Sequence, residues 1–215
     1  MNDAFEKMDK MYRHQRYFYD FTRKYYLLGR DKLISEMNVQ EGENILEVGC
    51  GTGRNLAILA EQYPKTNFFG LDASAAMLET AQKKVVAKNL ENVQLQTALA
   101  DDFAFDKTFG LENPFDSIYF SYSISMIPTW QESIQNALAN LKSGRSFYIV
   151  DFYDQRDLPK WFQKILQSWL KQFHVKYPRE LIPYLKELEQ KNFGKLNVKS
   201  IYRSYSFIAQ FRKTI

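Results

Sequence analysis

The 215-residue chain has one cysteine, Cys50, and two histidines, His14 and His174. A lone cysteine excludes a disulfide framework, and two distant histidines with one thiol offer no ligand cluster, so no metal is expected. Cys50 lies within a glycine run, where a small side chain is needed, and this assigns it a structural role. No apolar run approaches the length of a membrane span. The first residues, M-N-D-A-F-E-K-M-D-K, carry acids and lack the apolar stretch of a signal peptide. The expectation is a cytoplasmic protein whose membrane contact is peripheral. A net charge of +4 suits a neutral or anionic partner and is too weak to indicate nucleic acid.

What the chain has in excess is aromatic residues, 16% of the total, including 14 Tyr and 17 Phe, a surplus that asks for a use beyond core filling. The length fits one α/β domain. Within 1–215 the sequence divides into a helical cap (1–40), a core (41–152), an amphipathic helical insert or lid (153–194) and a terminal strand pair (195–215). In the cap, Tyr12, Gln15, Tyr19, Thr22, Arg23 and Tyr26 recur at helical spacing, and Gly29 interrupts a run that resumes over Asp31 to Met37, giving two helices. Its cations, Arg13, Arg16, Arg23 and Lys24, read as a solvated face. The density of Tyr, whose hydroxyl needs a partner when buried, fits either an amphipathic cap on the domain or the lining of a ligand site.

From residue 44 onward, strands and helices alternate. Strands are expected at Asn44 to Val48, Asn67 to Asp72, Val93 to Thr97, Phe115 to Tyr122 and Ser146 to Phe152. Helices are expected at Asn55 to Tyr63, from Ser74 as N-cap onward, and at Thr129 to Leu141, the last stopped by Gly144. Five such alternations imply a parallel sheet with right-handed crossovers and helices on both faces. In that architecture a ligand sits at the carboxyl ends of the strands. Three of those ends carry candidate groups: the glycines after the first strand, Asp72 after the second, and Asp101 with Asp102 after the third.

The loop from Asn44 to Asn55, N-I-L-E-V-G-C-G-T-G-R-N, alternates Gly49, Gly51 and Gly53. Glycine lets backbone approach a ligand closely. The dinucleotide fingerprint G-x-G-x-x-G is not met, because Arg54 stands where its third glycine belongs, and no Lys-Ser or Lys-Thr follows to make a P-loop. S-adenosylmethionine fits better. Asp72 is placed to accept ribose hydroxyls, though an acid there also serves as an ordinary cap or turn residue. Asp101 is the favoured acceptor for the adenine amino group, with the Asp102 amide serving the ring.

E-V-G-C-G-T-G resembles motif I of the class I S-adenosylmethionine-dependent methyltransferases, and Asp72 and Asp101-Asp102 follow in the order of their next motifs. The resemblance implies a Rossmann-like, mostly parallel seven-stranded sheet ending in an antiparallel hairpin, for which Lys195 to Tyr202 and Ser206 to Lys213 are the candidates. It also implies S-adenosyl-L-methionine as cofactor, with Glu47, Gly49, Gly51, Asn55, Asp72, Ala73, Met77, Asp101, Asp102 and Ser121 around it. Arg30 is a candidate for the cofactor carboxylate.

Three further segments resemble the bacterial betaine-lipid methyltransferases: Y-R-H-Q-R-Y-F-Y-D-F-T-R-K-Y-Y-L-L-G-R-D at Tyr12 to Asp31, S-Y-S-I-S-M-I-P at Ser121 to Pro128, and W-F-Q-K-I-L-Q-S-W-L-K-Q-F-H-V at Trp161 to Val175. That family implies trimethylation of diacylglycerylhomoserine at the membrane surface, and association with the enzyme that makes this acceptor. The region of Tyr19 also resembles quinone-pathway methyltransferases. A soluble amine or quinone precursor is therefore the alternative acceptor, and a non-catalytic binder of the cofactor is a third reading. Ser121-Tyr122-Ser123-Ile124 departs from the N-P-P-Y pattern of base methylation.

Methyl transfer from a sulfonium is an in-line displacement that needs mainly positioning. A quaternary ammonium product is held by aromatic faces, for which Tyr19, Tyr26, Tyr122 and Tyr153 are candidates, and the acceptor carboxylate by an arginine such as Arg13, Arg16 or Arg179. Tyr19, Tyr122 and His14 are the candidates nearest the chemistry, and His174 a further substrate contact. Pro159 to Arg179 carries Trp161, Ile165, Trp169, Leu170 and Phe173 on one stripe and Lys160, Lys164, Lys171, Lys176 and Arg179 with no acid. An apolar stripe of this kind is by default a lid packed on the domain, while the resemblance favours a membrane interface, which the composition suits, and one helix can serve as both.

Overall fold

The structure, a computed structural model, describes residues 26–172 and 179–214. The first cap helix and the candidates Arg13, His14, Arg16, Tyr19 and His174 lie outside the described residues.

Seven strands form one sheet: β1 (Asn44–Val48), β2 (Asn67–Asp72), β3 (Val93–Thr97), β4 (Phe115–Ser121), β5 (Leu141–Phe152), β6 (Gly194–Ile201) and β7 (Ser206–Lys213), in the order β3-β2-β1-β4-β5-β7-β6. The first five pair in parallel, and β7 runs antiparallel to both β5 and β6. This is the Rossmann-like, mostly parallel sheet with a terminal antiparallel hairpin that the resemblance implies. β1 and β4 are buried along nearly their whole length, polar residues included, because both of their faces are covered. The strand order reverses between β1 and β4, which opens a crevice at their carboxyl ends.

The helices are α1 (Arg30–Glu36), α2 (Arg54–Gln62), α3 (Ala75–Ala87), α4 (Phe105–Phe109), α5 (Trp130–Ala139), α6 (Lys160–Gln172) and α7 (Leu181–Gln190). α2 buries Leu56, Ala57, Leu59 and Ala60 and stops just before Pro64. α3 starts where expected, with the Ser74 hydroxyl accepting from Met77 N. Two apolar cores lie on the two faces of the sheet. One gathers Leu33, Ile45, Leu56 and Phe68 with Tyr122 and Phe152; the other gathers Val48, Phe69, Phe115, Ile134, Leu185 and Phe211.

Two expectations change. α5 ends at Ala139, well before Gly144, because the Asn140 side chain accepts from Phe105 N at 2.8 Å and donates to Phe103 O at 3.2 Å. Leu141 already pairs with Phe115, so Gly144, at φ +73°, lies inside β5 rather than ending a helix. The short α4 was not expected. Of the basic stretch from Pro159, Lys160–Gln172 is helix as expected, residues 173–178 lie outside the described ones, and α7 follows.

Candidate active site

The glycine loop leaves β1 in the left-handed region, with φ +73° at Gly49, +53° at Gly51 and +69° at Gly53, a conformation that L side chains reach only at a cost. At Gly49 space is also missing: a Cβ would stand 2.5 Å from that of Ser123. Ser123 is held there because its hydroxyl donates to Val48 O at 2.7 Å. The loop is braced from β2, since Asp72 accepts from Gly51 N at 2.8 Å through one carboxylate oxygen and from Ser74 N at 2.9 Å through the other. Asp72 thus joins the loop to the start of α3.

Beneath the loop lies a buried polar network. Glu47, 2% exposed, accepts from Asn55 Nδ2 at 2.7 Å and from the Tyr119 hydroxyl at 3.1 Å, while Asn55 also donates to Ser121 Oγ at 3.1 Å. Burial, reinforced by the Glu47 charge, pushes the Tyr119 phenol well above its ordinary range. Burial does the same to the Cys50 thiol, with Asp72 and Glu47 adding to it. An inert, buried Cys50 is what the sequence implied.

This floor opens into a pocket of about 210 Å³, smaller than the roughly 300 Å³ at which small-molecule sites begin, so it takes part of a ligand rather than all of it. Five expected cofactor residues line it: Arg30, Glu47, Gly49, Asn55 and Ser121. Leu27, Thr52, Arg54 and Lys84 line it too, and sequence reasoning missed them. Lys84 reaches from α3 to donate to Thr52 O at 2.7 Å, and Arg54 bonds Asp31 at 2.9 Å. The signal for Arg54 was present in the loop itself, where it counted only as a missing glycine. Lys84 carried none, because only the packing of α3 brings it over. Three cationic side chains around one buried acid favour an anionic ligand group such as an amino-acid carboxylate.

The other candidates fall elsewhere. Ala73 is half-buried and Met77 fully buried beyond the pocket. Asp101 is half-buried after β3, and Asp102 is exposed with its amide donating to Leu99 O at 3.2 Å. The adenine contact expected of that amide is therefore corrected: the turn after β3 already uses its proton. Tyr122 does not open onto the pocket. It is 3% exposed, lies edge-on to Phe152 at 4.8 Å, and its hydroxyl donates to Leu28 O at 2.5 Å. Burial drives its phenol upward, so its placement is that of a strut rather than a proton acceptor. Tyr26 is half-buried, and its carbonyl accepts from the Tyr205 hydroxyl at 2.7 Å. Tyr153, after β5, carries the Arg156 guanidinium 5.6 Å over its ring. Arg179 is exposed, ahead of α7.

A glycine loop that admits backbone contact, a buried acid beneath it and a cationic rim fit S-adenosylmethionine, which when bound supplies an electrophilic methyl group on sulfur. Comparison with known proteins agrees. A family model described as a methyltransferase domain matches residues 39–203. The chain is 28% identical over 211 residues to a demethylmenaquinone methyltransferase of Listeria monocytogenes, covering 98% of this chain and 78% of that one. It is equally similar to one from Geobacillus. Among solved structures, an S-adenosylmethionine-dependent methyltransferase from Aquifex aeolicus superposes with a TM-score of 0.63 at 18% identity, covering 99% of this chain and 98% of that one. An O-methyltransferase family protein from Burkholderia thailandensis gives 0.69 at 17%, covering 92% and 58%. At these identities the solved structures speak for the fold. With the family model spanning most of the sequence, the chain belongs to the methyltransferase-domain family and is an S-adenosylmethionine-dependent methyltransferase.

Proposed function

We propose that this methyltransferase acts on the head group of a membrane-borne lipid, working as a peripheral protein at the inner face of the membrane. The observation that carries this reading is α6, which holds Trp161 66% exposed and Ile165 59% exposed beside the exposed Lys160 and Lys164, with no acid in its length. Exposed indole and aliphatic groups flanked by lysine suit an anionic lipid interface. Among the described residues no helix is long and apolar enough to cross a membrane.

Two head groups meet this description. The first is a quinone precursor, the reading favoured by the demethylmenaquinone methyltransferases that align with nearly the whole chain. The second is the amine of diacylglycerylhomoserine, which rests on the three betaine-lipid-like segments and gains nothing from the comparisons. One contact in the structure favours it: Tyr153 already takes a guanidinium against its face, the interaction a quaternary ammonium product requires. Under the second reading, the enzyme that builds the acceptor is the expected partner.

In either case Arg30 is assigned to the cofactor carboxylate, and Glu47, Asn55 and Ser121 to the floor beneath its amino-acid end. Gly49 and Gly51 are assigned to backbone contact, Asp72 to the ribose, and Ala73, Met77 and Asp101 to the adenine side. Arg13, His14, Tyr19 and His174 stay assigned to the acceptor side, as do Tyr26, Tyr153 and Arg179.

The test is methyl transfer from labelled cofactor to liposomes carrying demethylmenaquinone or diacylglycerylhomoserine, with a soluble amine as the third acceptor. A methylated ring supports the first reading and a methylated amino lipid the second. Label in the soluble amine alone would overturn the lipid reading.

A further inference from the structure

A second cavity, larger and more apolar than the cofactor pocket, lies on the far side of a three-residue wall. It is a groove of about 390 Å³ between α6 and the β6–β7 turn, walled by Leu28, Leu158, Phe162, Leu166, Tyr202 and Tyr205. That volume lies within the range of small-molecule sites. The wall is Tyr26–Leu28. Leu27 lines the cofactor pocket, whereas Tyr26 and Leu28 line the groove.

Four side chains pin the three carbonyls of this wall. Tyr205 donates to Tyr26 O at 2.7 Å, Arg30 Nε to Leu27 O at 3.2 Å, and Tyr122 and Ser206 to Leu28 O at 2.5 and 3.2 Å. Main chain carrying so many side-chain bonds is fixed in place rather than a passing loop. Three consecutive residues so bonded separate the cofactor pocket from the groove.

The mouth of the groove shows what enters. Of the five large apolar side chains exposed among the described residues, Ile165 and Tyr202 line the groove, and Trp161 packs edge-on to its wall residue Phe162 at 5.7 Å. Lys160, Lys164 and Arg203 stand exposed around them. The neighbouring acids are occupied: Asp154 pairs with Arg156 at 2.8 Å, and Asp157 accepts from the Ser204 hydroxyl. An apolar trough with an apolar lip and a cationic rim is complementary to one class of occupant, a long hydrocarbon chain drawn from an anionic bilayer.

We infer that this groove binds the hydrocarbon chain of the acceptor lipid, and that the Tyr26–Leu28 wall sets the distance from that chain to the cofactor. The inference rests on the lipid-acceptor reading and deepens it. Each buried methylene contributes about 0.8 kcal/mol, so displacing two from the groove weakens binding roughly tenfold.

The experiment uses the full chain with a long-chain fatty acid bearing a photoreactive diazirine, a probe that has the hydrocarbon and no methyl-accepting head group. Crosslinks mapped by mass spectrometry are expected on Phe162, Leu166, Tyr202 or their groove neighbours, and excess long-chain lipid should abolish them. Leu158→Trp, which fills the groove, and Ile165→Glu, which changes only its exposed lip, should each cut probe labelling roughly tenfold while cofactor affinity by calorimetry stays unchanged. Labelling spread over the surface overturns the inference, as does labelling that neither variant reduces. It is also overturned if no probe enters because residues of the chain itself fill the groove. If groove labelling behaves as expected while neither lipid accepts a methyl group, the groove stands and the acceptor reading falls.

Discussion

The glycine-loop side of the active site and the Tyr26–Leu28 wall opposite are both fixed by hydrogen bonds, but their partners come from very different distances along the chain. The loop is held by Asp72, 21 residues from Gly51 and two from Ser74, and by Asn55 on Glu47, eight residues apart. The wall is held by Tyr122 from 94 residues away and by Tyr205 and Ser206 from about 180, with Arg30 on Leu27 O its one local bond among these four. One side is a local motif, whereas the other exists only once the sheet has closed. The first borders the cofactor pocket, and the second is the side we propose for the acceptor.

The sharpest break is on the loop side. Asp72→Ala removes the brace of two buried amides, each costing about 1–3 kcal/mol when left unpaired, and removes the group assigned to the ribose. Cofactor affinity should fall at least a hundredfold by calorimetry. Near-normal affinity would contradict the ribose assignment and show that the loop holds its shape without β2.

Gly49→Ala comes next. It places a methyl group 2.5 Å from the Ser123 Cβ at a φ of +73°, so strain and overpacking together should cost about 3–4 kcal/mol in urea unfolding. A loss below about 1 kcal/mol would mean that Ser123 yields easily and that the crowding is not part of the site's design.

This asymmetry explains what the sequence made legible. The five parallel strands were readable because each is a short segment carrying apolar residues and bounded by turn residues, and β1, β2, β3 and β7 fall on the residues expected. Glu47, Asn55 and Ser121 could be placed in the pocket because a motif fixes their spacing. Lys84 could not, since nothing near it in sequence reports that α3 lays it over Thr52. Tyr122 was assigned to chemistry for its place at a strand end, yet the same place, at φ +56°, turns its ring into the core. The groove was unreadable for the same reason: Tyr202 and Tyr205 join Leu158 and Phe162 only through the pairing of β7 with β5.

Asp151 tests the seam between the two sides. It is fully buried at the end of β5, accepts from Ser125 N at 3.0 Å and Phe152 N at 2.7 Å, and burial outweighs these bonds to raise its pKa from 3.8 to about 6. Below 3.8 the group is neutral in both folded and unfolded chains. Between 3.8 and about 6 the folded chain keeps a proton that the unfolded chain releases, so stability falls as pH rises, and the loss is complete above about pH 6. The loss amounts to no more than about 3 kcal/mol. Asp151→Asn removes this term, so its stability relative to the unaltered protein should climb between about pH 4 and about pH 7 when urea unfolding is followed across that range. A flat difference would mean that the carboxyl is better solvated than its burial implies.

The smallest expected effect separates the two sides most cleanly. Tyr205→Phe deletes one hydroxyl and leaves Tyr26 O without that donor, a cost of about 1 kcal/mol. The phenol is buried and its proton is held more tightly than an ordinary tyrosine's, so the change removes a strut and no titrating group. If the wall positions only the acceptor, the KM for a lipid acceptor should rise severalfold while cofactor affinity stays within error, because the Gly51–Asp72 and Asn55–Glu47 bonds are untouched. If cofactor affinity falls in parallel, the wall and the loop are one mechanical unit, coupled through Arg30, which bonds Leu27 O and lines the cofactor pocket. A double variant with Ser206→Ala then decides the matter. Both residues pin the same three-residue segment, so their effects on acceptor KM should be non-additive if the segment moves as a body and additive if each bond fixes only its own carbonyl.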